Sequence, residues 1–254
     1  MGSDSGAFAA RRLMTHAALL RRLAAGAERF GIDLNRQQLD SYGEYLRLLL
    51  DWNQRFNLTA IEAPEAVIDK HFVDSLSCVV ALDFSSIRHL ADVGTGAGFP
   101  GLVLKIAFPH LEVLLLDAVE KRLRFLRGVT EALGLTGVTT LHARAEAAGC
   151  DPARRGRFDV AVARAVAPLN TLAEYCLPFV RTGGWFLAQK GPDMPAELAA
   201  AQPAIRKLGG GEPRVHPLTL PGTDIGRSLV LIRKVTPTPR EYPRLPGTPK
   251  KHPL

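Results

Sequence analysis

Asp92-Val93-Gly94-Thr95-Gly96-Ala97-Gly98-Phe99-Pro100-Gly101 follows a short apolar run, Ile87–Val93, and opens a helical pattern with Pro100 in its first turn. Proline's fixed φ and missing N–H cost nothing at that position. A glycine-rich turn from strand into helix begins a βα unit, and the chain beyond repeats the same grammar. Glu112–Asp117 is a buried-strand run, and Glu120–Leu133 is helical with Leu123, Leu126, Val129 and Leu133 on one face. Val138–His142 and Phe158–Ala163 read as strands, Pro168–Val180 as a helix, Trp185–Gln189 as a strand and Met194–Leu208 as a helix. Two last strands, near Arg214–Leu220 and Ser228–Val235, have no helix between them and predict an antiparallel hairpin at one edge. The whole predicts an α/β fold: a doubly wound, mostly parallel, seven-stranded Rossmann-like sheet with helices on both faces.

Upstream the period is helical. From Asn35 to Asn57, the residues Leu39, Tyr42, Leu46, Leu49, Leu50 and Phe56 share one face, and Asn35 can cap the start. A shorter helical pattern runs from Pro64 to Val80. Together they predict a small N-terminal helical module over 31–85, ahead of a sheet domain over 86–236. Residues 1–30 read as an arginine-rich extension, disordered or loosely helical, in which Leu13, Ala17, Leu20 and Leu23 recur near helical spacing. A mitochondrial-type presequence would look similar. Pro237, Pro239, Pro243, Pro246, Pro249 and Pro253 predict an extended tail over 237–254.

The 254 residues are 46% hydrophobic and 22% charged, which excludes a mainly disordered or fibrous chain. No apolar run approaches the roughly 20 residues a membrane helix needs, and Arg11, Arg12, Arg21 and Arg22 interrupt any secretory apolar region. Cys78, Cys150 and Cys176 lack paired spacing, so neither a disulfide framework nor a metal site is expected. A soluble, cytoplasmic, monomeric protein is the expectation. The net charge of +7 is uneven: Arg233, Lys234, Arg240, Arg244, Lys250 and Lys251 against Glu241 leave +5 in the last 22 residues. A basic tail suits a polyanion such as nucleic acid, and a merely solubilising terminus is its bland rival.

Two cofactor classes fit the glycine loop. As Asp-x-Gly-x-Gly-x-Gly from Asp92 it resembles the first motif of S-adenosylmethionine-dependent methyltransferases, in which an acid near the loop helps hold the methionine part. From Gly96 it also satisfies Gly-x-Gly-x-x-Gly, the dinucleotide fingerprint. Asp117, ending the next strand, can accept from ribose hydroxyls in either case. The edge hairpin, and the lack of a second domain for a hydride acceptor, favour the methyl donor. An NAD(P)-dependent oxidoreductase is the alternative.

Trp52-Asn53, Asn57-Leu58-Thr59-Ala60-Ile61, His71-Phe72-Val73-Asp74-Ser75, the loop Asp92–Gly101, Lys121-Arg122-x-x-Phe125-Leu126 and Arg164-Ala165 occur in this order. In that combination the chain resembles the glucose-inhibited division protein B family from about residue 30 to its end, including Tyr242-Pro243-Arg244 and Pro246-Gly247-Thr248-Pro249. The resemblance implies a methyltransferase that uses S-adenosylmethionine to methylate N7 of a guanine in the decoding-region hairpin of 16S rRNA, within the small ribosomal subunit or an assembly intermediate. It implies donor contacts at Asp92, Gly94, Thr95, Gly96, Phe99, Asp117, Ala118, Ala145, Glu146 and Arg164. Catalytic roles fall to Arg164 and Lys190, and RNA contacts to Arg144, Lys190, Arg227, Arg244 and Lys250.

Guanine N7 carries a lone pair and no proton, so the reaction needs alignment and a suitable field more than a general base. The sequence agrees by omission. Ala163-Arg164-Ala165-Val166 replaces the Asn/Asp-Pro-Pro-aromatic motif of amino-group methyltransferases, and no cysteine follows a proline for attack on a pyrimidine ring. Arg164 could donate to guanine O6 or hold a phosphate, its bland rival being a salt-bridged strand end. His71 and Asp74 divide evenly between site and packing, whereas Trp52 and Phe56 belong on the apolar stripe. Lys121 and Arg122 read as a solvated helix face, and Cys78 and Cys176 as buried thiols. A catalytically silent RNA-binding scaffold is the rival outside enzymes.

Overall fold

The computed structural model describes residues 15–164 and 167–254. Arg11, Arg12 and Leu13 of the expected extension, and Ala165 of the Arg164-Ala165 motif, lie outside the described residues. Seven strands form one sheet: β1 (His89–Val93), β2 (Glu112–Asp117), β3 (Val138–His142), β4 (Phe158–Arg164), β5 (Val180–Lys190), β6 (Arg214–Thr219) and β7 (Gly226–Arg233). Their order is β3-β2-β1-β4-β5-β7-β6, with the first five parallel and β7 antiparallel to both neighbours. The expected hairpin is present, and its second strand lies inside its first. Because β1 pairs β2 on one side and β4 on the other, chain direction across the sheet reverses at β1. Crevices at such a point hold ligands, and here the glycine loop opens directly above it.

Strand alternation divides the interior between two faces. Leu90, Val113, Leu115, Val160, Val162, Leu187, Leu229 and Leu231 point to one layer. Ala91, Val93, Leu116, Ala161, Ala163, Phe186, Ala188, Val230 and Ile232 point to the other. The first layer is covered by α5 (Gly101–Ala107), α6 (Glu120–Ala132) and the N-terminal helices. The second is covered by α8 (Leu169–Cys176) and α9 (Pro195–Lys207), with α7 (Ala145–Cys150) at the end. Cys78 and Cys176 are buried thiols.

Helices α1 (His16–Glu28) and α2 (Arg36–Phe56) begin the described chain. Asn35 caps α2 in a reciprocal box with Gln38, satisfying two otherwise orphaned N–H groups. The Gln38 amide continues into α5, donating to the carbonyls of Ile106 and Ala107 at 3.0 and 2.9 Å. Tyr42 donates to the Val103 carbonyl at 2.7 Å, and Tyr45 to that of Ala97 in the glycine loop. The helical region therefore shares its core with the sheet instead of packing as a separate body. Leu19, Leu23 and Ala27 are buried, so from His16 on the extension is held firmly, in contrast to the loose helix that its arginines suggest. The Pro64–Val80 pattern resolves into α3 (Pro64–Val67), a π-helical turn at Ile68–Val73, α4 (Asp74–Leu76) and a 3-10 turn at Ser77–Val80. Such widened turns recur at functional sites.

The tail departs most from expectation. Its prolines predict an extended arm, yet residues 237–254 fold back on α7 and α8 and end in a short helix, α10 (Thr248–Lys251). Pro249 sits in the first turn of α10, where proline is compatible with a helix. Of the charges counted there, Lys234 is buried and Arg244 is ion-paired to the buried Glu174. Part of the apparent polyanion-binding charge is therefore internal.

Tyr42→Phe removes a buried donor while keeping the ring, so the Val103 carbonyl keeps only its partner within α5. We expect a loss of about 0.5–1.5 kcal/mol in urea unfolding.

Candidate active site

The end of β1 is built around Asp92. Its carboxylate is fully buried, and one oxygen accepts from Thr95 Oγ1 at 2.7 Å and from the Gly101 N–H at 2.8 Å. A Cβ on residue 101 would lie 2.7 Å from that carboxylate, so the helix can start this close only at glycine. Asp92 thus holds the loop from behind and does not line the cleft, correcting its expected place beside the methionine part of the donor. Burial lifts its pKa to about 6, with the Thr95 and Gly101 hydrogen bonds pulling the other way.

In front of the loop lies a cleft of about 520 Å³, within the roughly 300–1,000 Å³ of small-ligand sites. Its floor is Gly94, Thr95, Gly96 and Phe99. Gly96 has φ +60°, and a Cβ added there would meet no protein atom within 4 Å. The space above it is open to the cleft. Asp117 and Ala118 form the wall after β2, and Arg144, Ala145 and Glu146 the wall after β3. Asp117 accepts from the N–H groups of Gly96 and Val119, both at 2.9 Å, with Arg122 further off at 3.2 Å. Two short bonds thus fix this carboxylate at the cleft wall, and the longer Arg122 contact spans both of its oxygens. Apolar Leu116, Val119 and Ala143 complete the lining beside Ala145.

The last wall carries charge. Arg164, at the end of β4, donates to the Lys70 carbonyl at 3.0 Å, to Asp74 Oδ2 at 3.3 Å and to His71 Nδ1 at 3.1 Å, and its guanidinium lies 4.9 Å from the Phe99 ring centre. Asp74 Oδ1 accepts from Arg227 Nε at 3.0 Å. One buried carboxylate is therefore bracketed by two arginines from different strands. His71 stacks on Phe99 at 4.4 Å, and burial with the Arg164 charge lowers its pKa to about 3. It is neutral in use. Its Nδ1 lies between the Arg164 donor at 3.1 Å and the Lys70 carbonyl at 3.0 Å, and its Nε2 is 2.8 Å from the Thr59 hydroxyl, which can donate or accept.

Of the expected site residues, Gly94, Thr95, Gly96, Phe99, Asp117, Ala118, Arg144, Ala145, Glu146, Arg164 and Lys250 line this cleft. Lys190 does not. Its ammonium is held by Glu197 at 2.6 Å and the Ala167 carbonyl at 3.0 Å, so its expected catalytic role has no geometric support. Arg227 and Arg244 are likewise committed to Asp74 and Glu174. Arg122, read as a solvated helix residue, instead reaches Asp117 and the cleft, and Lys121 caps the Phe56 carbonyl at 3.0 Å. Trp52 packs between Phe56 and Phe125 as its stripe implied. Thr59 and Tyr175 are cleft residues that the sequence reading missed. Thr59 lay inside a quoted motif, but nothing in Tyr175's surroundings signalled a site.

Residues 38–221 match the family described as GidB, rRNA small subunit methyltransferase G. A protein of Alkaliphilus metalliredigens named ribosomal RNA small subunit methyltransferase G is 47% identical over 232 residues, 91% of this chain and 97% of that protein. One of the same name from Moorella thermoacetica is 48% identical over 234 residues, 92% and 98% of the two chains. Among solved structures, a protein of Agrobacterium tumefaciens described as a predicted O-methyltransferase is similar in fold, with a TM-score of 0.52 and 20% identity over 64% of this chain and 81% of that one.

Asp92 and His71 make opposite contributions to acid stability. The raised carboxyl binds its proton more tightly when folded, so its contribution falls as pH rises from about 4 to 6. The depressed imidazole makes the unfolded state bind more protons between about 3 and 6.5, so its contribution rises with pH there. Denaturant unfolding from pH 4 to 6.5 should therefore show an added downward slope in His71→Asn and an added upward slope in Asp92→Asn. Each departure from the parent should amount to about 1–3 kcal/mol.

Proposed function

The chain belongs to the GidB family of rRNA small subunit methyltransferases and uses S-adenosylmethionine, and from that premise we propose that it methylates N7 of a guanine in the decoding-region hairpin of 16S rRNA. Membership in this family decides the cofactor question that the glycine loop left between a methyl donor and a nicotinamide. The cleft fits the donor on its own terms: open space over Gly96, a fixed carboxylate at Asp117, and an apolar slot beside Ala145 and Glu146. Bound there, S-adenosylmethionine supplies a sulfonium-activated methyl group.

The observation that carries the reading is the anchorage of Arg164. Its carboxylate, carbonyl and imidazole partners engage three of its five N–H donors among the described residues. A guanidinium so held has donors left for the acceptor, and guanine presents O6 next to N7. Donation to O6 would orient the base and leave the N7 lone pair free. No proton must be removed, and the cleft accordingly has a neutral His71 instead of a titrating base near pH 7. Preorganised charge and alignment are the means of rate enhancement here.

Arg144 and Lys250 stand at the cleft and are the basic residues best placed for the RNA backbone. Phosphate contacts of that kind make binding salt-dependent. The assembled small subunit or its assembly intermediate is the proposed acceptor. A cytoplasmic site of action follows from the proposed ribosomal acceptor; among the described residues no helix is long and apolar enough to cross a membrane.

The direct experiment incubates the protein with methyl-labelled S-adenosylmethionine and small subunits from a strain lacking this methylation, then maps the label. Label at one guanine, with chemical cleavage diagnostic of N7 methylation, is the expected result; donor binding without transfer to these subunits would remove the proposed acceptor. Arg164→Ala should abolish transfer, and retained near-normal turnover would refute its role. Asp74→Asn should reduce kcat about 10- to 100-fold, equivalent to roughly 1.4–2.8 kcal/mol, with donor affinity changed less than threefold.

A further inference from the structure

The segment after β7 has almost no strand or helix to hold it, yet it is fixed by charge. Arg155 spreads its guanidinium over four carbonyls: Gly149 at 3.0 Å, Tyr242 at 2.7 Å, Thr238 at 2.7 Å and Pro239 at 2.9 Å. Lys234 gathers the carbonyls of Leu177 and Leu208 with the Thr238 hydroxyl. Further on, Glu174 of α8, whose side chain is 1% exposed, accepts from the Arg244 backbone N–H at 2.8 Å, from Nε at 2.9 Å and from Nη2 at 2.6 Å. Charge-assisted bonds of this geometry are the strong ones. Tyr242 and Pro249 are buried under the turn so formed.

These anchors bring the chain to the cleft. The Gly247 N–H donates to Glu146 Oε1 at 2.8 Å, and Lys250, on the next turn, is exposed at the cleft beside Arg144 and Tyr175. Glu146 is itself 3% exposed and part of the cleft wall. A buried carboxylate needs its hydrogen bonds to keep one orientation, and this one is met by an N–H from a segment 101 residues away in sequence.

We propose that residues 237–254 form a strap belonging to the donor site: Gly247 positions the Glu146 carboxylate and α10 walls the outer end of the cleft. The strap is thus a positioning element for S-adenosylmethionine, not a free arm for RNA. This inference rests on the donor alone and is independent of which nucleotide is methylated. Because coupling is reciprocal, donor binding must order the strap as much as the strap favours the donor.

The test uses the full chain and S-adenosylhomocysteine as the probe. Saturation with S-adenosylhomocysteine should slow amide hydrogen exchange across residues 245–251 at least about fivefold. Arg244→Gln combined with Glu174→Gln, which releases the strap without burying an unpaired charge, should weaken S-adenosylhomocysteine about tenfold by calorimetry. Unchanged exchange at 245–251 overturns the proposal, whether or not the double variant folds. So does a folded double variant that binds S-adenosylhomocysteine within twofold of the parent, including the case where it instead binds a small-subunit rRNA fragment with a shallower salt dependence, the signature of a lost phosphate contact.

Discussion

One buried carboxylate sets the geometry on which the donor site depends. Asp92, next to last in β1, draws the Gly101 N–H and the Thr95 hydroxyl onto a single oxygen. That pins the turn at both ends, so the glycine loop arches over the crevice between β2 and β4 and not along the sheet face. The next strand confirms the position, since Asp117 holds Gly96 from the other side. Both acids come from parallel strands that pair in register, with Asp92 opposite Leu115 and Asp117 two residues beyond. The loop is held by two rigid rods. Desolvating Asp92 costs stability, as its raised pKa shows, and such a cost is typical of sites where geometry matters more than the local free energy.

A second buried carboxylate ties the helical region to the sheet. Asp74 lies between Arg164 of β4 and Arg227 of β7, while Gln189 of β5 donates to its main-chain carbonyl at 2.7 Å. Three strands thus converge on one short helix. Burying an ion network contributes little net stability, but removing one member leaves the others charged and unsolvated. The arrangement is better understood as a gauge of position: it places the Arg164 guanidinium relative to Phe99 and the cleft. The shared core beneath, where Tyr42, Tyr45, Phe72 and Phe99 meet, supplies the apolar burial that makes such an arrangement affordable.

The inner strands were legible in the sequence because they are buried on both faces and read as apolar runs, whereas the edge strands β3 and β6 are partly exposed and mixed in composition. The glycine loop was legible because only glycine tolerates its φ angles and its approach to Asp92. Less legible was everything decided by partners far away in the chain. Lys190 ends a strand on the ligand side, as expected, but Glu197 on the following helix claims it. The charge count at the C-terminus could not reveal that Glu174, 70 residues back, neutralises Arg244. Proline spacing ruled out a long helix there but carried no information about the main-chain carbonyls of Thr238, Pro239 and Tyr242, which Arg155 binds. The π-helical turn at Ile68–Val73 was equally invisible, because one widened turn barely disturbs an apolar period.

The contact between Arg164 and the Lys70 carbonyl has an evolutionary corollary. The Lys70 side chain points to solvent, while its main-chain oxygen helps fix the arginine of the active site. A carbonyl is present whatever residue occupies the position, so codon changes at 70 leave this acceptor in place as long as the turn keeps its shape. Genetic drift at residue 70 is then silent for that contact, whereas an insertion or deletion within Ile68–Val73 would shift the oxygen and be visible to selection. Tolerance to substitution combined with intolerance to changes in length is the mutational signature expected of a site positioned by backbone.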